Sequence, residues 1–308
     1  MPTREQLLAL TDELRRLRSG GERSVAVTEE SMEQLRVAVS AAAAIPADAA
    51  VARVAGPQFL AASPTPAPAP VASRPVAAPK PAPAPALPAA PTVTLPEGDK
   101  RARWAALHEL VVNDPVCRAQ LRPGKKVVLG VGSLESRIFF CGEAPGAEEE
   151  VQGEPFVGPA GQLLTRMIQG MGLKREDVYI GNIMNWRPEL PAGPSGIQVG
   201  NRPPTAEEMN YCLPYLKAQI EIVQPQLIVA LGATAAGGLL GAGTFKTLGE
   251  IKGRWHQFAG KSVMVTYHPS YILRNNSNRS KRSIWEDLLQ VMERVGLPIS
   301  DKQRNFFL

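Results

Sequence analysis

The chain has 308 residues, a net charge of +5 and three cysteines. So few thiols exclude a disulfide-stapled secreted scaffold, and no apolar run reaches the ~20 residues that a membrane-spanning helix needs. The first residues lack the apolar core of a signal peptide, so a cytoplasmic location with no membrane partner is expected, and the mild positive charge favours a polyanionic partner.

In chain order, Leu7, Leu10, Leu14 and Leu17 recur at a 3-4-3 spacing among Arg and Glu, which predicts one amphipathic helix over 5–18 within an N-terminal helical segment, 1–41. Two heptads are too few for a coiled coil. Two readings of this helix stay open: docking to a protein partner, or packing on the segment 25–39. About half of the 29 prolines then fall within a run of Ala, Pro and Val with almost no charge. That composition buries too little apolar surface to offset its ordering entropy and predicts a disordered, partly polyproline II linker over 42–97.

From 98 to 308 short apolar runs alternate with helical patterns, which predicts one α/β domain: a three-layer sandwich around a mainly parallel sheet. Strands are predicted at 137–141, 178–182, 227–231 and 263–267, and helices at 160–171, 205–222, 234–240 and 283–295. Ligands of open parallel sheets bind beyond the carboxyl ends of the strands. Glu143, Asn182 and His268 all fall at such ends, which joins them into one candidate site.

The densest signal is CGEAPGAEEEVQGEPFVGPAGQLL, from Cys141 to Leu164. A strand runs into Gly142-Glu143-Ala144-Pro145-Gly146, a turn of small residues that lets a ligand approach the backbone and carries one carboxylate. Three further segments belong with it: Tyr179-Ile180-Gly181-Asn182 leading to Arg187-Pro188; Asn201-Arg202 with Cys212-x-Pro-Tyr-Leu; and Tyr267-His268-Pro269-Ser270-Tyr271-Ile272-Leu273-Arg274. No GxGxxG or P-loop follows a strand, which disfavours a nucleotide-binding enzyme.

These four segments, in this order, resemble the uracil-DNA glycosylase superfamily and within it family 4, over roughly residues 104–295. The resemblance implies a uracil-DNA glycosylase fold and a monomeric catalytic domain that hydrolyses the N-glycosidic bond of uracil in DNA, leaving an abasic site for base excision repair. It implies Glu143 and His268 as catalytic residues, with Ala144, Glu149, Phe156 and Asn182 around the uracil. Phe156 offers a stacking face. Asn182 carries a donor and an acceptor on one amide, matched to the O4 and N3–H edge of uracil. Glu149 aligns with a position near uracil C5, although its acidic run also reads as a solvated face. His268 can donate to O2, while Glu143 can stabilise a cationic sugar or orient water; His108 and His256 read as ordinary surface or core residues. Asn201, Ser270, Leu273 and Arg274 are expected to face DNA, with Leu273 or Ile272 as a wedge in the vacated stack. Arg279, Lys281 and Arg282 add positive charge next to them.

Two features depart from the family pattern. Members of family 4 usually hold a four-iron four-sulfur cluster on four cysteines, but here only Cys117 and Cys212 stand at ligand positions, with Asp114 and Trp186 at the other two. Cys141 replaces neither by position, so no cofactor is expected. A related branch traps DNA covalently through a loop histidine, yet no His lies between His108 and His256, and the Pro- and Gly-rich loop 189–200 occupies that region. The missing ligands keep a second reading in play, a cluster-less and catalytically weak homologue that acts as a DNA- or partner-binding module.

Overall fold

A computed structural model describes residues 87–190, 198, 200–241 and 243–308. All belong to one compact unit, Lys80–Leu308. The predicted helix 5–18, the linker up to residue 86 and most of the loop 189–200 lie outside the described residues.

Residues 87–97 carry no helix or strand, but Leu87, Val93 and Leu95 pack on a hydrophobic cluster of the domain. Two helices follow, α1 (Lys100–Asn113) and α2 (Pro115–Ala119), and Asp114 between them closes the first and caps the second. Next come β1 (Val131–Gly132), β2 (Ile138–Gly142), α3 (Ala147–Gln152), α4 (Pro159–Gly170), β3 (Tyr179–Asn182) and α5 (Ala206–Val223). The chain continues through β4 (Leu227–Leu231), α6 (Ala233–Leu240), α7 (Leu248–Ile251), β5 (Trp255–Phe258), β6 (Lys261–Thr266), α8 (Pro269–Arg274), α9 (Asn278–Arg294) and α10 (Asp301–Arg304).

The strands form one sheet in the order β1-β3-β2-β4-β6-β5, flanked by helices. The four inner strands are parallel and the edge strands β1 and β5 antiparallel to their neighbours. Every residue of β2 and β4 is buried, as parallel strands covered on both faces require. Side chains alternate between the faces: Ile138 and Phe140 meet α4 and α9 through Leu164, Ile168, Trp285 and Leu288, while Phe139 and Cys141 meet α5 and α6 through Leu216, Ile220 and Ala235. Each fully buried Phe contributes about 2–3 kcal/mol by apolar burial.

The structure adds elements that the sequence pattern left out. β1 and β5 are short edge strands with little alternation. The acidic run is the helix α3, and it is no solvated face: Glu149 and Glu150 are buried. The segment after His268, to which the sequence pattern assigns no element, is the helix α8, with Pro269 in its first turn and His268 as its N-cap.

Candidate functional site

The register of the sheet brings the strand ends together. Gly142 pairs with Asn182, and Leu231 with Thr266. Beyond these ends opens a cavity of about 790 Å3. Glu143, Ala144, Glu149, Phe156, Asn182, Asn201, His268, Ser270, Leu273 and Arg274 all line it. The sheet thus gathers ten residues drawn from four separate segments.

The β2–β3 pairing continues past the strand, with Ile183 N donating to Gly142 O and Met184 N to Glu143 O. This fixes the Glu143 turn against Asn182. Asn182 is 6 % exposed, and its Oδ1 is buried without a hydrogen-bond partner. Leaving such an acceptor unpaired costs about 1–3 kcal/mol, and because Asn182 lines the cavity its amide can be satisfied there by a ligand donor.

Phe156 lies against that amide and is held in a backbone conformation unusual for its type, with a φ of +55°. A non-glycine residue there costs on the order of 1–3 kcal/mol and persists only where its surroundings over-determine it. Glu149 does this. Its Oε1 accepts from Val157 N at 3.0 Å and Gly158 N at 3.1 Å, and its Oε2 accepts from Gly146 N at 3.0 Å. One buried carboxylate therefore ties the Glu143 turn to the Phe156 turn. With both oxygens engaged by the backbone, Glu149 acts on the pocket through the loops it holds.

The His268 ring lies 5.6 Å from that of Phe156. Its Nδ1 accepts from Ser270 N at 3.2 Å and faces Ser270 Oγ at 2.8 Å. An Nδ1 that accepts a backbone N–H carries no proton, so the neutral ring has its hydrogen on Nε2. Burial, helped by the nearby Arg274 charge, pushes the His268 pKa down to about 4. The ring is thus a neutral donor at physiological pH. Burial raises the Glu143 carboxyl above its usual range, and a hydrogen bond with Thr234 opposes the shift.

Ser270, expected to face DNA, lines the cavity and bonds its hydroxyl to His268. Of the two wedge candidates, Ile272 is 6 % exposed and belongs to the core, whereas Leu273 is 47 % exposed beside Arg274 at the cavity mouth. Arg282 is occupied elsewhere, bonded to Glu286 and to the carbonyls of Arg304 and Phe306. Lys281 lines a separate, apolar cavity of about 500 Å3 with Trp285 and Phe306. His108 stacks on Trp104, and His256, on the edge strand β5, bonds Ile251 O at the end of α7.

Arg187 and Thr234 were given no role from sequence. Arg187 is buried and makes three contacts: Nε with Asn201 Oδ1 at 2.8 Å, Nη2 with Gly200 O at 2.8 Å and Nη1 with Glu150 Oε1 at 2.9 Å. The signal was the Arg-Pro pair of the second segment. Thr234, at the start of α6, had no signal, because only the fold brings α6 to Glu143.

The positions at which the family resemblance places cluster ligands do not fit an iron-sulfur cluster. Asp114 Oδ1 accepts from Cys117 N at 2.7 Å, and Oδ2 from the hydroxyls of Tyr211 and Tyr215 at 2.9 and 2.8 Å. Trp186 has no lone pair for iron and fills the core between Cys117, Cys212 and Tyr211. Two thiols remain where four are needed.

Comparison with known proteins agrees with this geometry. The family model of the uracil DNA glycosylase superfamily matches residues 129–289. A type-4 uracil-DNA glycosylase of Thermotoga maritima is 46% identical over 165 residues, covering 53% of this chain and 79% of the relative. One of Pyrobaculum aerophilum is 40% identical over 181 residues, 57% and 87% of the two chains. A type-5 uracil-DNA glycosylase of the latter organism is 30% identical over 179 residues, 53% of this chain and 73% of the relative. With four motifs gathered at one cavity and the family model spanning the residues that carry them, the chain belongs to the uracil DNA glycosylase superfamily.

Proposed function

We propose that this protein is a uracil-DNA glycosylase that hydrolyses the N-glycosidic bond of uracil in DNA and leaves an abasic site for base excision repair. The observation that carries the reading is the buried, unpartnered Oδ1 of Asn182 in a cavity floored by Phe156. A uracil turned out of the stack, at a cost of a few kcal/mol, rests on the Phe156 ring. Its N3–H donates to Asn182 Oδ1 and its O4 accepts from Nδ2. Cytosine presents the opposite pattern at both atoms and leaves buried groups unpaired.

The bond between N1 and the sugar C1′ breaks with its electron pair on N1. The negative charge spreads to O2, where the Nε2–H of neutral His268 stabilises it. The sugar becomes an oxocarbenium-like cation, and the Glu143 carboxylate stabilises it and orients the water that attacks C1′; the proton the water gives up passes to the uracil anion, leaving neutral uracil and a C1′ hydroxyl. Asn201 and Arg274 hold the DNA strand at the rim while Leu273 fills the vacated stack. We propose that the enzyme works without an iron-sulfur cluster, on the chemistry of the Asp114 and Trp186 positions, and as a monomeric catalytic domain in the cytoplasm. Among the described residues no helix is long and apolar enough to cross a membrane.

Uracil release from single- and double-stranded oligonucleotides tests the reading. The parent chain is expected to release uracil, and Asn182→Asp to lose selectivity against cytosine. His268→Ala should fall by about 10²–10³, the usual loss for one transition-state donor. No release by the parent would favour a binding module instead.

A further inference from the structure

We propose that Asp114 is a positioning residue: its contacts with Tyr211, Tyr215 and Cys117 form a metal-free hub that, through Trp186 and Arg187, holds Asn201 at the rim of the pocket. This deepens the reading above, since it rests on Asn201 meeting DNA.

The hub is unusually complete. Asp114 joins α1 to α2, and its carboxylate, 9 % exposed, receives one backbone N–H and two phenolic hydroxyls. Tyr211 and Tyr215 are four residues apart on α5 and so share one face of that helix. A buried carboxylate is tolerable only when donors surround it, and here three donors converge from two elements. The hub thereby fastens α2 to α5, in the position where the family resemblance places metal ligands.

The connection to the pocket is direct. The Tyr211 ring lies 6.1 Å from that of Trp186, which is 1 % exposed. The next residue is Arg187, whose guanidinium spans Asn201, Gly200 and Glu150. Arg187 ties the Asn201 side chain to the near end of the loop 189–200, while the next residue, Arg202, is anchored to Glu189 O and Glu208. Slack in the packing of Trp186 is slack in Arg187 and hence at Asn201. The indole N–H finds no acceptor among the described residues, so the ring matters here for its shape.

A double-mutant cycle on the full chain tests this, read as Kd for a duplex carrying a uracil nucleotide with a non-hydrolysable glycosidic bond, below the melting temperature of every variant. Asp114→Ala is expected to weaken binding about fivefold to tenfold, the scale of a lost charged hydrogen bond, and to lower the melting temperature by roughly 5–10 °C. Asn201→Ala should weaken binding similarly. The double variant is expected to bind no worse than Asn201→Ala alone, because both changes remove one contact; additive losses would overturn the proposal. Trp186→Phe shrinks a side chain that is 1 % exposed and leaves slack beside Arg187, so it should weaken binding and lower the melting temperature in the same direction as Asp114→Ala. Binding equal to the parent would refute the route through the ring. If Asp114→Ala does not fold, Tyr211→Phe, which removes one of the three donors, takes its place in the cycle with about a twofold step. Iron chelation is expected to leave the melting temperature of the parent unchanged, and a fall would overturn the metal-free hub. None of these readouts needs turnover. A chain that shows the coupling but releases no uracil would defeat the proposed activity alone.

Discussion

Gly142 and Asn182 are register partners at the ends of β2 and β3, and a Cβ built on Gly142 would lie 2.3 Å from Asn182 Oδ1 and 2.5 Å from Phe156 Cζ. The missing side chain is what lets the amide and the ring share one wall. Gly142→Ala is therefore expected to push both out of place and lower uracil release by about 10²-fold or more, the scale of a misplaced site. Overpacking of this kind costs about 1–3 kcal/mol, so the domain should still fold. Unchanged release together with a cooperative melt would count against this wall as the uracil site.

The titration of the site has a definite sign. His268, pushed down to about 4, stays neutral at every pH above that, so the rate should show no step near 6.5, where an ordinary His titrates. The acid limb is expected to follow Glu143, whose pKa burial raises while Thr234 lowers it. The rate is then lost as pH falls through that raised value, above the ordinary ~4.3 of Glu. Thr234→Val removes the opposing hydrogen bond and is expected to move the limb to higher pH. A pH–rate profile of kcat checks this, and a limb that stays put or moves down would detach Glu143 from the rate.

Glu149 supplies a third expectation. Replacing it with Ala strands three backbone N–H groups and releases the Phe156 turn from its strained φ. With each unsatisfied donor costing about 1–3 kcal/mol, Glu149→Ala should both destabilise the domain and raise KM. Glu149→Gln keeps one oxygen for Val157 and Gly158 but turns a donor toward Gly146, so it should fall between. A Gln variant equal to the parent in melting temperature and KM would show that Gly146 does not depend on this carboxylate.

Much of this site was legible because strands announce themselves. The run Leu227–Leu231 is predicted to the residue, since a fully buried parallel strand is an unbroken apolar run between helices. Glu143, Asn182 and His268 fall at strand ends, and the carboxyl-end rule is enough to join them. Hydrogen-bond direction was not legible. Ser270 reads as a DNA contact and also bonds the His268 imidazole, and Glu149, read as a base contact or a solvated charge, also clamps two turns. Partners that meet only through the fold, such as Thr234 with Glu143, leave no spacing to detect. Nor did composition show that residues 87–97, drawn as the end of a linker, lie against the domain.

That last point changes where the chain can be cut. A protein shortened to begin at residue 87 keeps Leu87, Val93 and Leu95 on their cluster and is expected to retain uracil release. Beginning at residue 99 removes all three partly buried side chains, each contributing about 1 kcal/mol, and should lower the melting temperature by roughly 5–10 °C. Equal melting temperatures for the two would show that the segment adds nothing to the domain.

The wedge gives the sharpest separation between recognition and stability. Leu273 is 47 % exposed at the cavity mouth while its neighbour Ile272 is 6 % exposed in the core, so the same truncation at adjacent positions should have different consequences. Ile272→Ala creates a cavity and is expected to cost about 2–5 kcal/mol of stability. Leu273→Ala removes a side chain that rests on little, and the melting temperature should barely move. Its cost should appear only where a stacked base must be replaced: a duplex pays a few kcal/mol to extrude uracil, whereas a single strand has little stacking to lose. Leu273→Ala is therefore expected to slow release from double-stranded DNA about tenfold or more relative to single-stranded DNA, since 1.4 kcal/mol is one decade. Equal slowing on both substrates would remove Leu273 as the wedge and leave the stack to be filled by another rim residue.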